Sequence, residues 1–208
     1  MIILTNKNWL LAINNLKKRD KILKEIINRY NSEKLQSKKN AFLTLAKSIT
    51  GQQISVKAAN SIWGKLENKL KVINPNNLLK MKKIEILNCG FSKQKASYLI
   101  NLSNFFKKNL NIEKKWKKND DETIIEDLIK IKGSGRWTAE MFLIFYFLRP
   151  NIFPSADIGL LRAISINYNL KYPLKKAQIK KFKKKWEPWS TVATWYLWRS
   201  LDPIPVKY

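Results

Sequence analysis

The pattern of apolar and polar residues is helical along most of the chain. From Lys7 to Tyr30 the apolar side chains recur three or four positions apart, and Asp20 lies where one helix can end and the next can begin. Residues 93–106 and 121–130 also read as helices. We find no alternating pattern with hairpin turns, which would indicate strands, and no repeat of solenoid length. The sequence therefore predicts an all-α protein of about ten helices.

Two adjacent glutamines separate two of the predicted helices. Residues 41–49 (AFLTLAKSI) have the pattern of an apolar-faced helix, and Ser55 is a candidate N-cap for the next one. Between them lie Gln52 and Gln53, whose amides could enter a stacked duplex or hydrogen-bond a base edge. The same residues would equally suit the polar tip of an interhelical loop.

A Gly-x-Gly turn, Gly133 to Gly135, follows the predicted helix 121–130. Glycine permits backbone conformations and close approaches that a Cβ obstructs. The amides of Arg136 to Thr138 should lie at a helix start, where they have no intrahelical partner and can bind a phosphate. Helix, glycine-rich turn and helix is the layout of a hairpin that grips a nucleic-acid backbone, although Gly-x-Gly alone is also common as a simple turn.

A single carboxylate, Asp157, follows a Pro-bounded loop at the start of another predicted helix. Backbone amides at a helix N-terminus favour an ionised carboxylate. The chain has no histidine, so acid–base chemistry must fall to carboxylates, Lys, Tyr or water. Asp157 is therefore a candidate catalytic group, and the alternative is an ordinary first-turn aspartate.

The charge balance suits a polyanionic partner. The formal net charge is +26, with 41 basic residues, most of them Lys, against 15 acidic ones. Lysines neutralise phosphates and release counterions. A general bias of the sequence towards Lys, Asn and Ile would give the same excess on a solvated surface.

The composition also excludes several kinds of site. One cysteine, Cys89, cannot form an intrachain disulfide or a four-cysteine iron–sulfur cluster. The lack of histidine excludes Ser-His-Asp and Cys-His catalysis and histidine-ligated zinc. The most apolar run, Met141 to Leu148, is far shorter than the roughly 20 residues that a bilayer requires, and no signal-peptide pattern is found. We expect a soluble intracellular protein.

Three stretches resemble the helix-hairpin-helix (HhH-GPD) DNA glycosylases, and within them the 3-methyladenine DNA glycosylase II group. They are LAKSITGQQISVKAANSIW (45–63), IKGSGRWTAEMFLIF with FPSADIGLLRAI (131–164), and WEPWSTVATWYLW (186–198); CGFSKQKASYL (89–99) matches more weakly. The resemblance implies a two-lobed all-α glycosylase fold without the N-terminal β-domain of some members. We expect one module over 1–208, with lobe A at about 41–130 and lobe B at about 1–40 plus 131–208.

The resemblance implies a catalytic centre and a base pocket. Asp157 matches the catalytic aspartate. Trp137 and Trp198 match aromatic pocket positions, with Met141 where some relatives have an aromatic residue, although Trp198 would equally suit the core. Relatives that also nick the strand carry a nucleophilic lysine at the position of Trp137, so no AP lyase activity is expected. The remaining tryptophans Trp63, Trp186, Trp189 and Trp195 are expected in the core.

The resemblance also implies DNA contacts. Gln53, with Gln52 beside it, matches the wedge that fills the gap left by a flipped base. The hairpin, residues 130–135, would bind a monovalent cation, and no other metal or cofactor is implied. The expected phosphate-binding residues are Lys132, Gly133, Gly135, Arg136 and Thr138.

Together these features predict a hydrolase of base excision repair. It would excise alkylated purines such as 3-methyladenine and 7-methylguanine from damaged double-stranded DNA, by base flipping and Asp-assisted hydrolysis. We expect a monomer in the cytoplasm or nucleoid, with no obligate protein partner. Two alternatives stay open, a glycosylase of the same fold for a deaminated or mismatched base and a non-catalytic helix-hairpin-helix DNA-binding protein. A membrane-surface protein is disfavoured because the scattered lysines lack an amphipathic anchor.

Overall fold

The computed structural model describes residues 3–30, 34–37 and 40–202. This part of the chain contains thirteen helices and no strand, which confirms the all-α prediction. The count exceeds the expected ten or so because three of the helices have only five or six residues, too few for a periodic pattern. These short helices are α5 (Pro75–Lys80), α6 (Lys83–Asn88) and α8 (Ile112–Trp116).

The chain divides into two compact units. One, here the terminal unit, combines Met1–Ser37 with Phe147–Lys207, and the other, the central unit, is Lys38–Tyr146. The terminal unit contains α1 (Asn6–Arg19), α2 (Lys21–Arg29), α11 (Ile158–Asn167), α12 (Lys176–Trp186) and α13 (Ser190–Leu201). The central unit contains α3 (Ala41–Gly51), α4 (Val56–Leu70), α7 (Lys93–Lys108), α9 (Asp121–Ile129), α10 (Arg136–Phe145) and the three short helices.

The second boundary lies later in the chain than the sequence analysis expected. The hairpin segment 131–146, expected in lobe B, is grouped with residues 38–130 because α10 packs against α3 and α9. The first boundary, expected near residue 40, falls beside residues 38 and 39, which lie outside the described part of the chain.

The central unit is built around α3 and α10. Helix α3 packs against α4, α7 and α10, and every residue of α10 from Thr138 to Phe145 is buried. Side-chain caps fix where the neighbouring helices begin, since the Ser55, Ser92 and Asp120 oxygens accept hydrogen bonds from amides three residues on. These caps orient the loops that precede α4, α7 and α9.

The terminal unit is organised by α13, which packs against α1, α2, α11 and α12. Asp20 ends α1 and caps α2 by accepting hydrogen bonds from the amides of Ile22 and Leu23, which confirms the predicted break. The four tryptophans expected in the core, Trp63 in the central unit and Trp186, Trp189 and Trp195 here, are all buried.

A second role of Asp20 is to join α12 to the start of α2. Its side chain is 2% exposed, and Oδ2 accepts from Lys185 Nζ (2.8 Å), the Tyr168 hydroxyl (2.7 Å) and Trp186 Nε1 (3.0 Å). Burial raises the pKa of this carboxyl, but the hydrogen bonds from Lys185, Trp186 and Tyr168 outweigh burial and bring the pKa below its ordinary value. Among the described residues, no helix is both long and apolar enough to cross a bilayer.

Candidate active site

Asp157 immediately precedes the first residue of α11, at the helix start that the sequence predicted. It is the N-cap of that helix, and its Oδ1 accepts a 2.6 Å hydrogen bond from the Leu160 amide. The preceding loop turns tightly, with the Asp157 amide donating to the Pro154 carbonyl at 2.9 Å. The Leu160 amide therefore holds the carboxylate, the turn holds the backbone of Asp157, and the carboxylate lies at the positive end of the helix dipole.

Trp198 brings a second donor to the same oxygen. Its indole Nε1 donates to Asp157 Oδ1 at 2.8 Å, and the ring is half-buried on α13. Because both hydrogen bonds fall on Oδ1, the carboxylate is held in one orientation. The sequence analysis expected Trp198 either in the base pocket or in the core. The structure shows in addition a hydrogen bond to the predicted catalytic group, which neither expectation included.

A glycine, Gly159, packs closely against both Asp157 and Trp198. A Cβ on Gly159 would lie 3.2 Å from Asp157 Oδ1 and 3.5 Å from both Cδ1 and Nε1 of Trp198. A side chain at this position would therefore press on the carboxylate oxygen, whereas its contact with the indole would be an ordinary one.

The hairpin joins α9 to α10 within the central unit. Gly133 has φ +102°, and a Cβ there would lie 2.1 Å from Cγ of Tyr98, so this position requires glycine for both its backbone and its packing. Gly135 differs, because a Cβ there would meet no heavy atom of the described residues within 4 Å. Gly135 is the N-cap of α10 and has no side chain that could cap the helix. The first amides of α10 therefore lie at the hairpin without a side-chain acceptor.

Gln52 and Gln53 differ in their contacts and in their exposure. Gln52 Nε2 donates to the Gly133 carbonyl and to Thr138 Oγ1, both at 2.9 Å, so this side chain turns inward onto the hairpin. Gln53 is exposed and has φ +55°, a left-handed conformation that is uncommon for residues other than glycine. Gln53 is thus the more exposed of the predicted wedge pair, while the side-chain amide group of Gln52 donates its hydrogen bonds within the protein.

The predicted phosphate-binding side chains also differ in their exposure and in their partners. Lys132 is exposed, and no ion pair involves it within the described residues. The Arg136 guanidinium instead binds Glu122 through two hydrogen bonds of 2.7 and 2.9 Å, with Glu140 3.4 Å from its Nε. The Thr138 side chain is 1% exposed. Arg136 and Thr138 can therefore contribute backbone amides, whereas Lys132 can contribute its charge.

The predicted base-pocket residues of α10 differ from each other in exposure. Trp137 is half-buried at the second position of the helix. Met141, one turn later, has no exposed surface and is part of the core. The resemblance that implied both as pocket residues did not reveal that α10 enters the core at Thr138.

A family model confirms the resemblance seen in the sequence. The model for the HhH-GPD superfamily of base excision DNA repair proteins matches residues 46–188, which include the glutamines, the hairpin and Asp157. The chain belongs to the HhH-GPD superfamily. Individual relatives agree with this assignment.

This HhH-GPD chain is 29% identical to DNA-3-methyladenine glycosylase 1 of Schizosaccharomyces pombe over 185 residues, 86% of the chain and 81% of that protein. It is 38% identical to the DNA-3-methyladenine glycosylase of Saccharomyces cerevisiae over 134 residues, 60% of the chain and 45% of that relative. The solved structure of the S. pombe 3-methyladenine DNA glycosylase in complex with abasic DNA matches with a TM-score of 0.82 and 26% identity, over 95% of this chain and 98% of that one. The chain thus spans most of one curated relative and less than half of the other.

Sequence reasoning missed several residues that contact the predicted site residues within each unit of this HhH-GPD chain. Gly159 packs beside Asp157, and its place two residues after the capping aspartate was a usable signal. Tyr98 packs on Gly133, Glu122 binds Arg136, and Lys95 binds the glutamine loop. Each of these three contacts spans at least fourteen residues of sequence, so no local pattern announces it.

Proposed function

We propose that this protein is a monofunctional DNA glycosylase that excises alkylated purines in base excision repair. Its substrate would be double-stranded DNA carrying a lesion such as 3-methyladenine or 7-methylguanine. The protein would act within the cell as a monomer, without an obligate protein partner. One observation carries the proposal: in an HhH-GPD chain, the aspartate at the helix N-terminus is held in a single orientation by the Leu160 amide and the Trp198 indole.

A fixed carboxylate suits the reaction. The bond between the sugar C1′ and the base nitrogen breaks with its electrons leaving on the base, and positive charge develops on the sugar. Asp157 would stabilise that charge and accept a proton as water adds to C1′. A carboxylate that already has its donors in place needs no reorganisation when the charge appears.

Alkylated purines suit a chain without histidine, because their departure needs no general acid. A 3-methyladenine or 7-methylguanine base carries a positive charge and leaves as a neutral molecule, so the leaving group needs no added proton. The chain contains no histidine to supply one. The half-buried indole of Trp137 would hold the cationic base by stacking, a contact worth on the order of 0.5–2 kcal/mol. Met141 has no exposed surface and is not part of this proposal.

The DNA contacts follow from the hairpin and the exposed glutamine. The amides at the start of α10, with Gly133 and Gly135, would bind the backbone beside the lesion, and Lys132 would add a charge contact. The carbonyls of residues 130–135 would bind a monovalent cation as part of the same grip. Gln53 would fill the gap when the target base leaves the stack.

The decisive experiment replaces Asp157 with Asn. Asn caps a helix as well as Asp does, so the fold should persist while the charge is lost. We expect the variant to bind alkylated duplex DNA with unchanged affinity and to release no free purine. Asp120→Asn is the matched control, because Asp120 caps α9 in the same way and takes no part in the proposed chemistry. Base release at the normal rate by Asp157→Asn would refute the assignment.

The alternatives give different results in the same assay. A non-catalytic helix-hairpin-helix protein would bind DNA and release no base even in its native form. A glycosylase for deaminated or mismatched bases would release uracil, hypoxanthine or a mispaired base in preference to alkylated purines, so a panel of these substrates separates it. The strand should stay intact until alkali is added, since Trp137 cannot form the Schiff base that strand nicking requires.

A further inference from the structure

The glutamine loop, residues 52–55, carries Gln53 in an unusual conformation. Helix α3 ends at Gly51, and α4 begins after the Ser55 cap. Within the loop Gln53 has φ +55°, and its side chain is exposed. Non-glycine residues keep such a conformation only where the surrounding structure determines it. The contacts that hold the loop therefore decide where the Gln53 side chain points.

Lys95 supplies the first of these contacts from α7. Its Nζ donates to the Thr50 carbonyl at 2.8 Å and to the Gln52 carbonyl at 2.7 Å, and the side chain is half-buried. The last carbonyls of a helix lack intrahelical donors and carry the negative end of the dipole, so an ammonium group there is doubly favoured. The two bonds lie on either side of Gly51 and fix the end of α3 and the start of the loop together.

Gln52 supplies the second contact. Its side-chain amide donates to the Gly133 carbonyl and to Thr138 Oγ1, so the loop is bound to both sides of the hairpin turn. Thr138 is almost fully buried, which makes it a fixed anchor. The Tyr98 ring packs against Gly133 from α7, the helix that also carries Lys95. Helix α7 therefore supports the loop and the hairpin at once.

We infer that Lys95 and Gln52 are positioning residues that hold the Gln53 loop against the hairpin, so that gap filling and backbone binding occur on one rigid block. This inference rests on the proposed function, because it gives Gln53 a gap to fill. Without these hydrogen bonds the hairpin would still bind the backbone through its amides. The Gln53 side chain would then no longer enter the duplex at a fixed distance from that grip.

The test separates insertion into the duplex from binding to its backbone. The probe is a duplex with a tetrahydrofuran abasic analogue opposite 2-aminopurine, whose fluorescence changes when a side chain fills the gap. Binding is measured separately by fluorescence anisotropy on an undamaged duplex.

The variants are Lys95→Met, Gln52→Met and Gln53→Ala, with Lys95→Arg as the conservative replacement and Lys93→Met as the matched control on the same helix. Lys93 is exposed, and no hydrogen bond or ion pair joins its side chain to the loop within the described residues.

We expect Lys95→Met and Gln52→Met to lose most of the fluorescence change, as Gln53→Ala does, while their affinity for the undamaged duplex is unchanged. Excision of an alkylated purine should fall about tenfold or more in Lys95→Met, the order of effect of a hydrogen bond from a charged group. Lys95→Arg should restore both readings, because a guanidinium can donate to the same two carbonyls. Lys93→Met should match the native protein.

Two results would overturn the inference. One is a native fluorescence change in both Lys95→Met and Gln52→Met, since the loop would then need neither contact. The other is an equal loss of insertion and of backbone affinity, which would indicate a merely structural role. If Lys95→Met proves unstable by circular dichroism, Gln52→Met carries the test, because it changes no charge. The proposed function fails separately, if the native protein releases no base while the insertion signal is present.

Discussion

Trp198 Nε1 donates a 2.8 Å hydrogen bond to Oδ1 of Asp157, the same oxygen that the Leu160 amide contacts at 2.6 Å. One donor comes from the helix that Asp157 begins and the other from α13, 41 residues later in the chain. The orientation of the carboxylate therefore depends on how α11 packs against α13, and not only on the local cap.

Replacing Trp198 with Phe tests this hydrogen bond. Phe keeps an aromatic ring but removes the N–H donor, so we expect single-turnover base release to fall about tenfold, as for the loss of one bond to a charged group. DNA affinity should not change. Trp195→Phe is the matched control, because Trp195 Nε1 is buried on the same helix without a hydrogen-bond partner among the described residues. An unchanged rate in Trp198→Phe would mean that the cap alone orients Asp157.

Gly159→Ala should uncouple activity from stability. A Cβ at 3.2 Å from Asp157 Oδ1 forces the neighbour to move by a few tenths of an ångström, and that neighbour is the carboxylate itself. Alanine is also the better helix former, by at most the roughly 1 kcal/mol of a helix interior, since Gly159 lies in the first turn of α11. We therefore expect the melting temperature to hold or rise while base release falls. A melting temperature that falls in step with activity would mean that the strain spreads through α11 instead.

The two hairpin glycines should respond differently to alanine. At Gly133 a Cβ would overlap the Tyr98 ring, and φ is +102°, so Gly133→Ala should destabilise the central unit by more than about 1 kcal/mol in urea unfolding. At Gly135 a Cβ meets no described atom, so Gly135→Ala should fold normally. It should nevertheless weaken DNA binding if a phosphate approaches this turn. Equal stability losses in both variants would contradict the distinction.

The sequence predicted local features well and long-range partners poorly. Ser55 and Asp20 were identifiable as caps because a cap contacts amides within three residues. By contrast, nothing in two adjacent glutamines indicates which one turns inward. The choice depends on the Gly133 carbonyl, 81 residues away from Gln52, and on the left-handed backbone of Gln53.

Burial along a helix was equally hard to predict. Trp137 and Met141 are one turn apart and share a face, but only Met141 is fully enclosed. The packing of α10 against α3 and α9 determines which of the two side chains is enclosed. The same packing makes residues 131–146 part of the central unit. Periodicity indicates which face of a helix is apolar, and not where along its length the core begins.

Asp20 should make the protein sensitive to acid. Its folded pKa lies below the ordinary 3.8, so its contribution is fully present above pH 3.8 and is lost as the pH falls through the lower folded value. Asp20→Asn keeps the cap but loses the ion pair with Lys185, and it should reduce the free energy of unfolding by about 2 kcal/mol at pH 7. The difference between variant and native protein should shrink in urea titrations below pH 3.8. A constant difference from pH 7 to pH 3 would show that the Asp20 charge is not its source.

Salt dependence should distinguish two basic residues of the hairpin. Lys132 is exposed and has no ion pair among the described residues, whereas the Arg136 guanidinium is neutralised by Glu122 and Glu140. DNA affinity should fall steeply with salt, and Lys132→Gln should reduce the slope of log K against log salt by about 1, as for the loss of one phosphate contact. Arg136→Gln should leave the slope unchanged, because its charge already has carboxylate partners. A loss of slope in Arg136→Gln would mean that Glu122 releases the arginine to DNA on binding.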